Sequence, residues 1–272
     1  VSEDPFLLAV DVGNTSTSGA VFRGMEMLKR ERRDTSELRR RSDWVSWLSA
    51  LRQEMTLPGR IIVATVVPEL RASLFKASEG LFSASPHFLS HESPLGIEVA
   101  YRDPSQVGAD RLANGVQAFE SMGGPSVIVD FGTATTMDLI SKEGRYEGGI
   151  IMPGIHMSLE SLHANTALLP AVDFEVPEEL LGRDTVASIL AGAYYGVAAA
   201  IDGLLDRLAD RLGEKPAVVA TGGLAAVVKE ESKWIDAVDQ DLTLKGLCRV
   251  GLRVARGEEN RRRERVGGGR DG

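Results

Sequence analysis

Two short acidic-glycine segments hold the side chains best suited to chemistry. Asp11-Val12-Gly13-Asn14-Thr15 and Asp130-Phe131-Gly132-Thr133 lie 119 positions apart. A glycine turn lets backbone N–H groups approach phosphate oxygens with no Cβ in the way, and Asn or Thr side chains add donors. A strand-end aspartate can hold a hydrated Mg²⁺ that bridges phosphates. The same residues would serve a plain hairpin whose turn is capped by Asp11. In Gly132-Thr133-Ala134-Thr135-Thr136 the small and hydroxyl residues suit a terminal phosphate or a cation, although strands also use Thr. Val218 to Ala220 runs into Thr221-Gly222-Gly223, where a purine and its ribose could lie against bare backbone. Gly108-Ala109-Asp110-Arg111 opens a helical stretch, which sets a carboxylate and a guanidinium at a positively polarised helix start. That pair suits a substrate with hydroxyl and carboxylate groups, or else is a capping Asp with an exposed Arg.

Two common nucleotide motifs are missing: no Gly-x-x-x-x-Gly-Lys-Ser/Thr occurs, and no Gly-x-Gly-x-x-Gly follows a strand. His87, His91, His156, His163 and Cys248 make no zinc spacing.

Each aspartate needs an element to carry it. Phe6 to Val10 reads as a strand ending at Asp11, and Ser16 to Phe22 as the next one. Val127 to Val129 and Met137 to Ile140 repeat that order around Asp130, as a duplicated nucleotide-binding domain would. Asp43 to Met55 has helical spacing, Ile61 to Val67 reads as a buried strand stopped by Pro68, and Leu112 to Ser121 as a helix. Strands alternating with helices indicate an α/β fold. The pattern breaks near Met122-Gly123-Gly124-Pro125, so domains are expected over 1–122 and 123–256, followed by a charged, disordered tail over 257–272. A long helix, Thr185 to Leu212, carries Ser188, Gly192, Gly196 and Ala200 along one face, which either meets a partner closely or packs internally. The mixed-charge run Lys29 to Arg41 is expected to be solvated surface.

With 272 residues, 43% of them hydrophobic, the chain can bury one large core or two smaller ones. A net charge of -8 gives no reason to expect nucleic acid or an anionic membrane as partner. A single cysteine and an opening without a signal-peptide pattern make a reducing cytoplasm the expected compartment. The uncharged run Thr185 to Ile201 falls short of the roughly 20 residues of a spanning helix.

Taken in order, Asp11-Val12-Gly13-Asn14-Thr15, Val66-Val67-Pro68, Gly108-Ala109-Asp110-Arg111, Asp130 to Thr136, Gly148 to Gly154, Gly182-Arg183-Asp184-Thr185 and Thr221-Gly222-Gly223 resemble the type III pantothenate kinase family. That family includes proteins described as Bvg accessory factors. The resemblance implies two actin-like (ribonuclease H-like) domains with a nucleotide cleft between them. It implies transfer of phosphate from ATP to pantothenate, the first step of coenzyme A synthesis, in a homodimer. Asp110 becomes the catalytic base, and Tyr101, Gly108, Ala109, Arg111 and Thr185 join it at the substrate. Asp11, Gly13, Asn14, Thr15, Gly132, Thr133, Thr221, Gly222 and Gly223 would bind nucleotide. Asp11 would organise Mg²⁺, and Asp130 with Thr133 a monovalent cation, potassium or ammonium. Asp184 stands where the family often has asparagine. A kinase of the same superfamily acting on another acid or sugar, or a non-catalytic nucleotide-binding regulator, would share the phosphate turns.

Overall fold

The computed structural model describes residues 5–53, 59–82 and 85–267. In chain order the elements are β1 (Phe6–Val12), β2 (Ser16–Arg23), β3 (Glu26–Asp34), α1 (Arg41–Arg52), β4 (Arg60–Thr65), α2 (Arg71–Phe82), β5 (His87–Phe88) and β6 (Glu98–Val99). Then follow α3 (Ala109–Met122), β7 (Ser126–Phe131), β8 (Ala134–Ile140), β9 (Arg145–Pro153), α4 (Ile155–Ala164), α5 (Thr185–Leu212), β10 (Ala217–Thr221), α6 (Ala225–Lys229), β11 (Ala237–Val238) and α7 (Leu242–Gly267). The helix read over Asp43 to Met55 is α1, and Met55 itself lies outside the described residues.

Two compact units result: residues 1–117 with 242–272, and residues 118–241. This corrects the expected domains, because the segment from Leu242 belongs to the first unit. The tail expected from residue 257 continues as helix to Gly267, while residues 268–272 lie outside the described range. Chain order could not reveal the return, since α7 is assigned by what it packs on. A Cβ on Gly251 would lie 2.2 Å from Leu7 Cδ1, and one on Gly246 would lie 1.9 Å from the Ala113 carbonyl oxygen. Glycine is what permits α7 to lie so close to β1 and α3.

In the first unit the sheet runs β3-β2-β1-β4-β5, and in the second β11-β10-β7-β8-β9. Read from the other end, these are one topology: β1 is antiparallel to β2 and parallel to β4, as β7 is antiparallel to β8 and parallel to β10. The third strands, β3 and β9, both add antiparallel to the meander. The duplication suggested by the two aspartate turns is therefore present in the strand order.

Side-chain alternation along a strand assigns faces. Leu8, Val10 and Val12 enter one core with Trp44, Trp47, Leu48 and Leu74 of α1 and α2. Leu7 meets α7, so Asp11 shares the α7 face. In the second unit Val127, Val129 and Phe131 enter the core that holds Ile155, Ile189, Ile201 and Leu205 of α4 and α5. Asp130 sits on the opposite face, in the same relation to its core as Asp11. By length and composition alone α5 could cross a membrane, at 28 residues and mean hydropathy 1.4, but its inner stripe is part of this core.

Candidate active site

In the first unit, β1 delivers Asp11 to a position half-buried between Ser18 of β2 and Ala64 of β4. The turn beyond it is closed by Gly13 N–H donating to the Ser16 carbonyl at 3.0 Å. A Cβ on Gly13 would sit 2.9 Å from that oxygen, so the turn requires glycine. Asn14 and Thr15 are exposed at its tip. They line a cavity of about 420 Å³ together with Asp34, Thr35, Arg39 and Glu69.

The mixed-charge run supplies part of this wall. Lys29 to Asp34 belong to the edge strand β3, and the residues that follow bring Thr35 and Arg39 to the turn. Charged residues on an exposed edge discourage strand pairing with other chains, which is the surface role expected of them. Thr35 differs, being buried at 5% exposure, with its hydroxyl donating to the Gly13 carbonyl at 2.7 Å. Nothing in a charge pattern distinguishes such a residue. Its signal would have been a single β-branched residue within the charged run Lys29 to Arg41.

The second unit repeats the arrangement. Asp130 on β7 lies in register with Thr136 of β8 and Thr221 of β10, so a carboxylate stands between two threonines on one sheet face. Gly222, at φ 90°, folds back on the Asp130-Phe131 backbone. A Cβ on Gly154, just before α4, would lie 2.3 Å from the Thr133 carbonyl oxygen and 2.7 Å from that of Gly132. Three loops thus converge on the Asp130 turn, bringing Gly132, Thr133, Thr221 and Gly222 together. Gly132, Thr133 and Gly223 are exposed. The Thr135 hydroxyl, in register with Phe131 and so on the core face rather than beside Asp130, is buried without a hydrogen-bond partner among the described residues. The Asp130 carboxylate and the Thr136 and Thr221 hydroxyls are hard oxygen donors that fit a cation or a phosphate-bound cation, and no cluster of three acidic, His or Cys ligands occurs among the described residues.

Asp110 is the second residue of α3, not its cap, and Arg111 is buried at 8% exposure. This corrects the reading of a capping Asp with an exposed Arg. The Asp110 carboxylate accepts from the Arg111 N–H at 2.9 Å, and a Cβ on Gly108 would lie 2.5 Å from Asp110 Oδ1. Glycine therefore makes room for that carboxylate. Further along the same helix, Asn114 accepts from Thr243 at 2.7 Å and Gln117 from Arg249 Nε at 2.7 Å, both donors on α7. These bonds fix the helix that presents Asp110. Ala109 is the first residue of α3, and Tyr101, half-buried, stands in the loop leading to it.

Thr185 is exposed at the first turn of α5, and Asp184 caps that helix by accepting from the Ala187 N–H at 2.8 Å. Aspartate is as good a cap as asparagine, which accounts for it here. A Cβ on Gly192, Gly196 or Gly203 would meet nothing within 4 Å, so the small-residue face of α5 does not pack inside its own unit. Ile151, Leu168, Leu180, Leu181 and Val186 are also exposed.

Comparison with known proteins adds sequence to this geometry. A family model described as type III pantothenate kinase matches residues 7–207. Relatives named type III pantothenate kinase include one from Myxococcus xanthus, 44% identical over 89% of this chain and 96% of its own length, and one from Caulobacter vibrioides, 37% identical over 90% and 96%. Solved structures sharing the fold include a Baf family protein of Campylobacter jejuni, at TM-score 0.55 and 18% identity, covering 89% of this chain and 96% of its own. The ethanolamine utilization protein EutJ of Carboxydothermus hydrogenoformans has TM-score 0.53 and 14% identity, covering 90% and 89%. With its two registered aspartate turns on a repeated α/β topology and relatives of this identity along most of its length, the chain belongs to the type III pantothenate kinase family.

Proposed function

We propose that this protein transfers the terminal phosphoryl group of ATP to the hydroxyl of pantothenate, giving 4′-phosphopantothenate and ADP. The observation that carries the reading is the pair Asp11 and Asp130, at equivalent positions of two copies of one strand topology. Family membership supplies the acceptor.

The Asn14 N–H and the Asn14 and Thr15 side chains offer donors to phosphate oxygens, and Asp11 is the residue that would hold hydrated Mg²⁺. Bound there, the ion would offset phosphate charge. In the second unit Gly132 and Thr133 serve phosphate, and Thr221, Gly222 and Gly223 the nucleoside. Asp130, with Thr133, would hold a monovalent cation, potassium or ammonium. Tyr101, Gly108, Ala109 and Arg111 bind pantothenate, with the buried Arg111 guanidinium directed to its carboxylate.

Asp110 accepts the hydroxyl proton as the new oxygen to phosphorus bond forms and the bond to ADP breaks. A carboxylate with a reference pKa of about 3.9 is a weak base toward an alcohol, so transfer is late. Positioning and charge stabilisation carry more of the rate than the base does.

The open small-residue face of α5, the exposed Val186 on that helix with Leu180 and Leu181 just before it, and the exposed Thr185 support a homodimer in which Thr185 reaches a partner's substrate. The cytoplasm is the proposed compartment. Cys248, a buried free thiol pushed up to about 12 by burial, is consistent with it.

Incubation with ATP, Mg²⁺, potassium and pantothenate, followed by mass spectrometry, tests the function. Formation of 4′-phosphopantothenate is expected. Phosphorylation of an acetate or sugar acceptor in its place, or no transfer to any acceptor of such a panel, would overturn it.

A further inference from the structure

Thr35 makes two bonds to one turn. Its hydroxyl donates to the Gly13 carbonyl at 2.7 Å, and its backbone N–H donates to the Thr15 carbonyl at 2.9 Å. The hydroxyl of Thr17, itself fully buried, lies 3.0 Å from the Thr35 hydroxyl. With the single Thr35 hydrogen committed to Gly13, Thr17 is the donor between them.

A trans peptide holds its C=O and N–H on opposite sides of one plane. Drawing the Gly13 carbonyl toward Thr35 therefore turns the Asn14 N–H away from β3, and drawing the Thr15 carbonyl does the same for the Ser16 N–H. Asn14 makes no hydrogen bond among the described residues. Burying a hydroxyl is costly unless it is bonded, and valine has the same shape without that cost. The hydroxyl at position 35 thus has a task that packing does not set.

We infer that Thr35 is a positioning residue, which fixes the Gly13–Thr15 turn with the Asn14 N–H presented to nucleotide phosphates. The inference rests on reading that turn as the phosphate site. Thr35 touches no substrate; it acts through the carbonyls of Gly13 and Thr15.

The full-length protein serves for the test, with Thr35→Val, Thr35→Ser and Asn14→Ala. Calorimetry gives Kd for Mg-ATP and for adenosine, and steady-state rates give kcat and both KM values. Thr35→Val is expected to weaken Mg-ATP about tenfold, the effect of one lost hydrogen bond to a positioned group, and to leave adenosine and the pantothenate KM within about twofold. Thr35→Ser, which keeps the hydroxyl, restores Mg-ATP binding. Equal losses for Mg-ATP and adenosine, or wild-type Mg-ATP binding in Thr35→Val, overturn the inference. Should Thr35→Val not fold, Thr17→Val removes the group that orients the hydroxyl, and a selective loss for Mg-ATP of about threefold is expected. Unchanged binding there also overturns it. If Asn14→Ala weakens Mg-ATP and Thr35→Val does not, Thr35 alone is misassigned. If neither variant affects Mg-ATP, the phosphate turn itself is misplaced and both readings fall.

Discussion

Gly222 lies against Asp130 so closely that a Cβ built on it would stand 2.7 Å from the Asp130 carboxylate and 2.6 Å from the Phe131 carbonyl oxygen. Its φ of 90° is in the left-handed region that side chains disfavour. Gly222→Ala is expected to cost roughly 2–4 kcal/mol, combining backbone strain with overpacking. Gly223 has nothing within 4 Å of its own Cβ position, so Gly223→Ala should change stability by less than about 1 kcal/mol. Urea denaturation of both variants checks the contrast, and equal midpoints would contradict it.

Asp110→Asn should lower kcat by about 10² to 10⁴ with little change in melting temperature. The amide keeps an oxygen for the Arg111 N–H but cannot accept the hydroxyl proton. Wild-type turnover at saturating ATP and pantothenate would remove Asp110 from the chemistry.

The phosphate turns contain no lysine, while ATP brings several negative charges toward carboxylates. Activation by potassium or ammonium over sodium is expected, lost together with activity in Asp130→Ala. Initial rates against KCl, at ionic strength held constant with a bulky organic cation, measure it. Full activity in the organic cation alone would refute this role.

His87 offers a pH readout away from the site. Burial holds its pKa below the ordinary 6.5, with Glu258 opposing the shift, and its Nε2 is 2.9 Å from the Ser93 hydroxyl. The folded state thus favours the neutral ring. That contribution is complete above the unfolded value of about 6.5 and is lost as pH falls through the lower folded value. Melting temperature should drop between pH 7 and pH 5, and by less in His87→Asn. An equal drop in the variant would assign the acid sensitivity to other groups.

Much of this was readable before any coordinates. Apolar runs ending at Asp11 and Asp130 marked β1 and β7, because a strand buried on one or both faces leaves a dense hydrophobic signal. The span of α5 was legible to the residue, since Asp184 caps its start and Gly213, at φ 73°, ends it. β3 and β9 were not recognised. β3 is an edge strand, which can carry charge without losing its pairing, and β9 carries Gly148 and Gly149 among largely exposed residues, which dilutes its apolar signal. Thr35 and Arg39 follow β3 and lie outside it, so no strand pattern marks them. The roles of Asp110 and Arg111 came from resemblance, and no contact within this chain would have separated catalysis from capping until Arg111 was seen to be buried. Spacing cannot report which sheet a late helix joins, so the placement of α7 was misread.

That placement governs how the protein is made. The first unit is interrupted after residue 117 and completed only from Leu242 onward. At roughly 5–20 residues per second of synthesis, the part of the unit that ends at residue 117 waits about 6–25 s before Leu242 begins the helix that covers Leu7. During that interval the Asp11 face of the nascent sheet lacks its cover, while residues 118–241 emerge as an uninterrupted stretch able to fold first. Chain order and folding order are thereby uncoupled, and a ribosome stalled before Leu242 would release a polypeptide whose later half is finished and whose earlier half is not.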